Sequence, residues 1–200
     1  VLPEDIQDCF DAILGGGSSA LNFGDYWVGS LTALCPDDGY WFFNTCEELV
    51  FSYNEPTSLA RQMKLSPPPY PYNQSTQQAF YFIESVENIE SGDWILSFNG
   101  ETVIGAREWQ GITIDVPAMG DDGSDFTEGY IQTGTVPTFK LLKDGKLIDL
   151  DGDIPAFENN GLYMVTSLSE NIEFPSKFSL EMAYPNPFNP VTTLSFTMPT

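Results

Sequence analysis

The segment DWILSFNGETVI, residues 93–104, decides the fold of the chain. Apolar residues alternate before and after Asn99-Gly100, and this dipeptide between two such runs is typical of a tight β-hairpin. The segment TFKLLKDGKLIDL, residues 138–150, repeats the pattern around Asp144-Gly145. Two hairpins of this kind predict an antiparallel β-sheet.

Further strands are predicted on both sides of these hairpins. Residues 79–86, 108–116 and 161–168 are rich in apolar and β-branched side chains and lie between turn residues. At least six strands joined by short turns are typical of a β-sandwich. We therefore predict an antiparallel β-sandwich domain over residues 79–170.

Residues 1–54 predict a smaller module. Residues 3–14, PEDIQDCFDAIL, begin with proline and two acidic residues and continue with apolar residues at helical spacing. This pattern predicts a short helix that ends at the three glycines 15–17. The module is thus a small α/β unit, one helix on a short antiparallel sheet. Its strands are predicted at residues 26–34, 40–44 and 49–53.

Two proline-rich segments separate or follow these domains. Residues 55–78 include LSPPPYPYNQSTQQ, and consecutive prolines favour an extended polyproline II path, which is typical of a linker. Residues 171–200 predict a second linker that ends in one short strand. The predicted fold class is therefore mainly β, with a proline-rich C-terminal extension.

The C-terminal extension contains a dense turn motif followed by alternating residues. Prolines cannot donate ladder hydrogen bonds, and asparagine next to proline favours turns. The motif consists of Tyr184, Pro185, Asn186, Pro187, Phe188, Asn189 and Pro190. The strand predicted after it consists of Thr192, Thr193, Leu194, Ser195, Phe196 and Thr197. A lone strand buries too little surface to be stable. We therefore expect either that the sequence stops within a larger domain or that the strand pairs with a sheet edge outside this chain.

The motif YPNPFNP, followed by two threonines and alternating apolar residues, resembles the opening of the C-terminal sorting domain of the type IX (Por) secretion system. This family belongs to Bacteroidetes-like and related marine bacteria. The match covers the opening segment of that domain, up to its first strand. The resemblance implies export across the outer membrane and a location that is extracellular or on the outer cell surface.

Two upstream segments are similar to parts of secreted proteins from the same bacteria. WVGSL at residues 27–31 and GYW at residues 39–41 resemble a repeated module of those proteins. Residues 74–168 resemble the domain that directly precedes the sorting signal. The segments that carry this resemblance are DWI at residues 93–95, GAREW at 105–109 and DVPAMG at 115–120. These resemblances imply an extracellular setting and no particular chemistry.

The charge of the chain excludes several classes of partner. Seven basic and 29 acidic residues among 200 give a net charge of −22. A surface this negative repels phosphate backbones and anionic membranes, so we expect no nucleic-acid partner. We also expect no transmembrane segment, because no apolar run approaches the roughly 18 residues of a membrane-spanning helix.

Three cysteines, Cys9, Cys35 and Cys46, lie in the first quarter of the chain. Their spacing does not match a zinc site, and the chain contains no histidine. In an exported protein we expect one disulfide and one remaining thiol, with the pairing left open.

Two acidic clusters are candidate calcium sites, since calcium takes about six to eight oxygen ligands. The first lies in the glycine-rich loop DDGSDFTEG and consists of Asp121, Asp122, Asp125 and Glu128. The second lies in DLDGD and consists of Asp149, Asp151 and Asp153. The glycine of the second cluster stands in the wrong place for an EF-hand, and the twelfth position is Asn160 instead of glutamate. The alternative for both clusters is a solvated acidic turn.

No pattern in the sequence indicates catalysis. Without histidine, Ser-His and Cys-His nucleophile pairs are excluded, and no glycine-rich phosphate loop precedes a lysine. We therefore predict a non-catalytic structural or adhesive protein. It is expected to bind copies of itself or other surface proteins, and its self-assembly through the terminal strand would form a filament or surface layer. An alternative is a carbohydrate-binding module that stacks Trp94, Trp109 or linker tyrosines on polysaccharide. A third is a part of a larger hydrolase.

Overall fold

The computed structural model describes residues 4–35, 38–50, 67–171, 179–184 and 191–197. The chain divides into two compact units, residues 1–170 and residues 171–200. In the described part strands predominate, and the only helices are two short 3₁₀ segments, Glu4–Cys9 and Asp125–Thr127. The predicted mainly β class is therefore confirmed.

The first sheet is formed by the N-terminal quarter of the chain. Its strands are β1 (Phe10–Gly15), β2 (Ser18–Asn22), β3 (Trp27–Val28) and β4 (Trp41–Asn44). They are antiparallel and stand in the order β3-β2-β1-β4. Gly16 and Gly17 connect β1 to β2 at φ values of 60° and 72°, a left-handed conformation that glycine adopts without steric strain.

The helix predicted at residues 3–14 is wrong, because Phe10–Gly15 forms strand β1 and only Glu4–Cys9 is helical, as a 3₁₀ segment. The reason is burial on both faces of the strand. Ile13 belongs to one apolar cluster and Leu14 belongs to another, so consecutive side chains are buried on opposite sides. The spacing of a short apolar segment does not by itself distinguish a strand that is buried on both faces from a buried helix.

Residues 78–170 form two further sheets. Their strands are β5 (Gln78–Ile83), β6 (Trp94–Asn99), β7 (Thr102–Glu108), β8 (Ile114–Met119), β9 (Thr138–Lys143), β10 (Lys146–Asp151), β11 (Leu162–Val165) and β12 (Ser169–Glu170). The central sheet has the order β11-β5-β8, and the third sheet has the order β12-β10-β9-β6-β7. Neighbouring strands are antiparallel except β11 and β5, which run parallel. The prediction of a wholly antiparallel domain is wrong for this pair.

Both predicted hairpins are confirmed. A two-residue turn after Asn99 joins β6 to β7, and a two-residue turn at Asp144-Gly145 joins β9 to β10. The residues of the second turn have φ values of 50° and 74°, as a type I′ turn requires at both central positions. The local turn chemistry therefore sets the register next to each turn, and between β6 and β7 a register shift follows at Ser97 and Phe98.

Three predicted strands are shorter or divided. The strand predicted at residues 26–34 is limited to β3, because the chain turns at Gly29, where φ is 130° and an added Cβ would collide with the Ser19 carbonyl oxygen. The strand predicted at residues 108–116 is divided between the end of β7 and the start of β8. Leu49 and Val50 lie outside any strand, and residues 51–53 fall outside the described residues.

The central sheet is buried on both faces by the other two sheets. Tyr81 and Ile83 of β5 join the main core beneath the third sheet, whereas Phe80 and Phe82 pack with Leu14 of β1. All five side chains are completely buried. Three sheets therefore pack face to face, an arrangement that is consistent with the predicted β-sandwich and adds the first sheet to it as an outer layer.

A disulfide joins Cys9 to Cys46, and Cys35 lies outside it. Cys9 ends the first 3₁₀ segment, and its carbonyl oxygen accepts a hydrogen bond of 2.9 Å from the Thr45 N–H beside Cys46. The two cysteines are 37 positions apart in sequence. A loop of this length predicts a stabilisation of about 4 kcal/mol from the reduced entropy of the unfolded chain.

We expect Cys46→Ser to lower the free energy of unfolding by about 3–4 kcal/mol, because the unfolded chain regains the entropy of the open loop. Urea unfolding followed by tryptophan fluorescence measures the loss, and a reducing agent should produce a similar loss in the native sequence. Cys35→Ser is the control and should change the free energy by less than about 1 kcal/mol. Equal losses in the two variants would contradict the observed pairing.

Candidate functional site

A two-stranded ribbon forms the described part of the second unit. Strand β13 (Ser179–Leu180) pairs antiparallel with strand β14 (Phe196–Thr197). The ladder extends to Tyr184 and Thr193, which exchange two backbone hydrogen bonds of 3.1 Å and 2.8 Å. The alternating residues on both sides of the proline-rich motif therefore pair with one another.

The expectation that residues 192–197 lack a partner within this chain is wrong. Their partner comes from residues 179–184, which the sequence assigned to a linker. This partner has only a few alternating residues, too few to be recognised as a strand by pattern. Of the sorting motif, Tyr184 is described and 81% exposed, and residues 185–190 fall outside the described residues.

One face of the ribbon is apolar. Leu180 lies opposite Phe196, and the Glu181 N–H donates to the Ser195 carbonyl oxygen in the same register. Alternation along the two segments then places Met182 and Leu194 on the side of Leu180 and Phe196. The register shifts by one residue beyond them, at the bridge between Tyr184 and Thr193. The apolar face consists of Leu180, Met182, Leu194 and Phe196, which are 58–90% exposed. The opposite face carries Glu181 and Ser195, whose backbones are joined by a hydrogen bond of 2.9 Å. A contiguous exposed apolar surface of this kind is typical of an interaction site.

The first acidic cluster stabilises a surface loop after β8. The Asp122 carboxylate accepts hydrogen bonds from the Ser124 N–H at 3.1 Å, the Thr127 hydroxyl at 2.8 Å and the Thr76 N–H at 3.2 Å. These hydrogen bonds, above all those from Ser124 and Thr127, lower the pKa of Asp122 far below its ordinary value. In the described loop the Asp122 carboxylate thus accepts hydrogen bonds from groups of the protein itself.

The other residues of the two acidic clusters are dispersed. Asp121 accepts a hydrogen bond of 2.8 Å from the Gly123 N–H, and Asp149 forms an ion pair of 2.7 Å with Lys140. The remaining members, all exposed to solvent, are Asp125, Glu128, Asp151 and Asp153. Within the described residues, no three histidine, cysteine, aspartate or glutamate side chains are placed to hold a metal ion. Calcium binding stays a prediction.

A buried ionic pair lies between the first and central sheets. Oδ2 of Asp115 in β8 accepts three hydrogen bonds of 2.8 Å, from the backbone N–H and hydroxyl of Ser19 and from the Ser30 hydroxyl. Nη2 of Arg107 lies 3.4 Å from the same oxygen and donates to the Gly17 carbonyl oxygen at 2.8 Å. Asp115 is completely buried and Arg107 is 6% exposed. One carboxylate therefore joins segments that are 96 positions apart in sequence.

This pair was not among the predicted sites, although the sequence contains a signal for it. Arg107 is the only basic residue between Lys64 and Lys140, and Asp115 interrupts the apolar segment ITIDVPAM, residues 112–119. A charged residue within an apolar strand predicts a buried partner of opposite charge. The serines that complete the site carry no comparable signal, because their role depends on the docking of the first sheet.

The aromatic residues predicted to stack on sugars occupy different environments. Trp109 lies in the main core and is 7% exposed. Trp94 is half-buried beside Tyr72 on the outer face of the third sheet and lines a small cavity of about 80 Å³. A stacked pair that the sequence did not predict, Phe23 and Tyr26, is exposed, with ring centroids 5.5 Å apart and an interplanar angle of 11°.

A groove of about 320 Å³ opens beside β3 in the first sheet. Its walls are mainly apolar and include Ile13, Trp27, Leu31 and Leu34, with Gln7 as a polar member. Three of these residues, Trp27, Leu31 and Leu34, pack against the buried cluster of the N-terminal sheet. The sequence could not predict the groove, because it is formed by the irregular segment that follows Gly29.

Comparison of the chain with protein-family models, with curated proteins and with solved structures found no match. Among the described residues, no helix has the length and apolar character needed to cross a membrane.

We expect the contribution of Asp122 to stability to depend on pH. Its pKa is lowered in the folded chain, so the contribution is present above the unfolded value of about 3.9 and is lost as the pH falls below it. Asp122→Asn should lower the urea midpoint at pH 7, and the difference from the native sequence should shrink below about pH 4. Asp125→Asn, in the same loop, should leave the midpoint nearly unchanged. A pH-independent difference for Asp122→Asn would contradict this assignment.

Asp115→Ala should lower the free energy of unfolding by about 3–5 kcal/mol, because it leaves the Arg107 guanidinium buried without its counter-charge. The exposed ion pair between Lys140 and Asp149 supplies a matched control, since the Asp149 side chain is 63% exposed. Asp149→Ala should cost less than about 1 kcal/mol. Urea titration measures both losses, and similar small losses would show that the buried pair does not hold the sheets together.

Proposed function

We propose that this chain is a non-catalytic structural or adhesive protein of the extracellular space or outer cell surface. It assembles with copies of itself or with other surface proteins through its terminal ribbon. The observation that carries this proposal is the exposure of four large apolar side chains, of which two lie in the strands β13 and β14 and two lie beside them in the chain. A two-stranded ribbon is marginally stable alone and gains stability when a further strand or layer is added.

The backbone of the ribbon offers hydrogen-bonding groups for such an addition. Because Glu181 and Ser195 bond to each other across the ribbon, the N–H and C=O groups of their neighbours, including Leu194, point to the outer edges. Within the described residues, the sheet that contains the ribbon has two strands. Addition of a strand at an open edge is a common mode of protein association.

Two features support a location outside the cell, and a third, the net charge, bears on the kind of partner. The motif at residues 184–190 resembles the opening of a type IX sorting domain. The disulfide between Cys9 and Cys46 is typical of proteins from oxidising compartments. The net charge of −22 favours solubility and disfavours binding to nucleic acid.

A carbohydrate-binding module is the second candidate function, and one observation favours it. The nearly parallel rings of Phe23 and Tyr26 are exposed and offer an apolar plane on which a sugar ring can stack. Trp109, which the sequence indicated for this role, is buried instead. This candidate therefore rests on a different pair of residues from the one predicted.

Light scattering and negative-stain microscopy of the 200-residue chain test the proposal. We expect oligomers or filaments that grow with protein concentration. Leu194→Pro keeps an apolar side chain but removes an outward N–H, so growth should stop, and proline is tolerated at a strand edge. Leu194→Val retains the N–H and should assemble as the native sequence does.

The outcomes separate the candidate functions. A chain that stays monomeric at high concentration, with and without calcium, would contradict assembly. Binding of such a monomer to polysaccharide, with loss of binding in Tyr26→Ala, would favour the carbohydrate-binding module. Growth that needs calcium would direct attention to the acidic clusters as metal sites.

A further inference from the structure

We infer that the apolar face of the ribbon packs against the same face of a second copy of this chain, as a two-fold symmetric pair. The inference rests on the proposed function, because it names the partner and the geometry of contact for the same ribbon. It adds a contact through side chains to the contact through strand edges. The two contacts use different atoms, which are side chains on the face and backbone N–H and C=O groups at the edges.

The arrangement of the face favours pairing with itself. Leu180 and Phe196 form one row across the ribbon. By alternation Met182 and Leu194 form a second row, just before the register shifts by one residue at Tyr184 and Thr193. A contact between identical surfaces closes as a two-fold pair, in which each row can meet a row of the other copy. Two sheets packed in this way lie about 10 Å apart and leave their edges accessible. Pairing by the face is therefore compatible with strand addition at the edges.

The size of the face fits a weak pair. The exposed fraction is 71% for Leu180, 90% for Met182, 58% for Leu194 and 64% for Phe196. At roughly 150–200 Å² for a fully exposed large side chain, they offer roughly 400–550 Å² in each copy. A pair would bury about 800–1,100 Å² in total, which is the size of a weak or transient interface. We therefore expect association that depends on concentration in the micromolar range.

Charge also favours pairing at this face over other parts of the chain. The whole chain carries a net charge of −22, which opposes contact between copies through most of the surface. In the described part of the ribbon, Glu181 is the only charged residue, and it lies on the opposite face. Contact through the apolar face thus brings less electrostatic repulsion between two copies than contact through the charged surface. Added salt should strengthen the pair, since it screens the repulsion between the rest of the two chains.

Sedimentation velocity of the full 200-residue chain, between about 1 µM and about 200 µM, tests this inference. The native sequence should shift from monomer to dimer over this range, and the shift should occur at lower concentration when sodium chloride is raised. Met182→Glu places a charge in the contact and should weaken association at least about tenfold. Ser195→Glu adds the same charge to the polar face and should leave association nearly unchanged.

Each outcome bears on one of the two proposals. Equal weakening by Met182→Glu and Ser195→Glu, or a monomer at every concentration, would overturn pairing through the apolar face. Filaments that persist in Met182→Glu but vanish in Leu194→Pro would overturn it too, while the proposed assembly would stand. Dimers that disappear in Met182→Glu but never grow further would support the pair and contradict the proposed structural assembly. Unchanged urea midpoints in both glutamate variants would show that the first unit remains folded.

Discussion

The packing of the first unit depends on one buried carboxylate. Asp115 carries a charge that is removed from water, and this costs on the order of several kcal/mol unless the surrounding groups replace the solvent. Arg107 supplies the counter-charge, and Ser19 and Ser30 supply donors from the N-terminal sheet. Apolar packing at Phe80 would tolerate small shifts between the sheets, whereas these hydrogen bonds have one geometry. The carboxylate therefore fixes the position in which the first sheet docks.

The sequence predicted those parts of the fold that local chemistry determines. Both hairpins were predicted from dipeptides that favour tight turns. The mainly β fold class was predicted from the alternation of apolar and polar residues. The prediction of a helix at residues 3–14 was wrong because β1 is buried on both faces. This burial depends on contacts with strands that are distant in sequence. The parallel pair of β5 and β11 could not be predicted, since nothing local distinguishes it from an antiparallel pair.

The candidate site was predicted in part for the same reason. The alternation at residues 192–197 indicated a strand, and the structure contains one at β14. Its partner, β13, was missed because a strand of two residues has almost no pattern. The acidic loop was interpreted through its charge alone, although Asp122 binds donors that come from its own loop and from Thr76. Sequence shows which groups are available, whereas tertiary contacts determine which groups are used.

The disulfide has a mechanical consequence whenever the chain is placed under tension. A stretched polypeptide extends by about 3.3–3.6 Å for each residue. The segment of 37 positions from Cys9 to Cys46 cannot be stretched while the disulfide is intact. The chain under tension is therefore shorter by about 125 Å than it would be without the bond. The load passes through the sulfur atoms from the first 3₁₀ segment to the chain that follows β4. Residues 9–46 would thus resist extension for as long as the disulfide is intact.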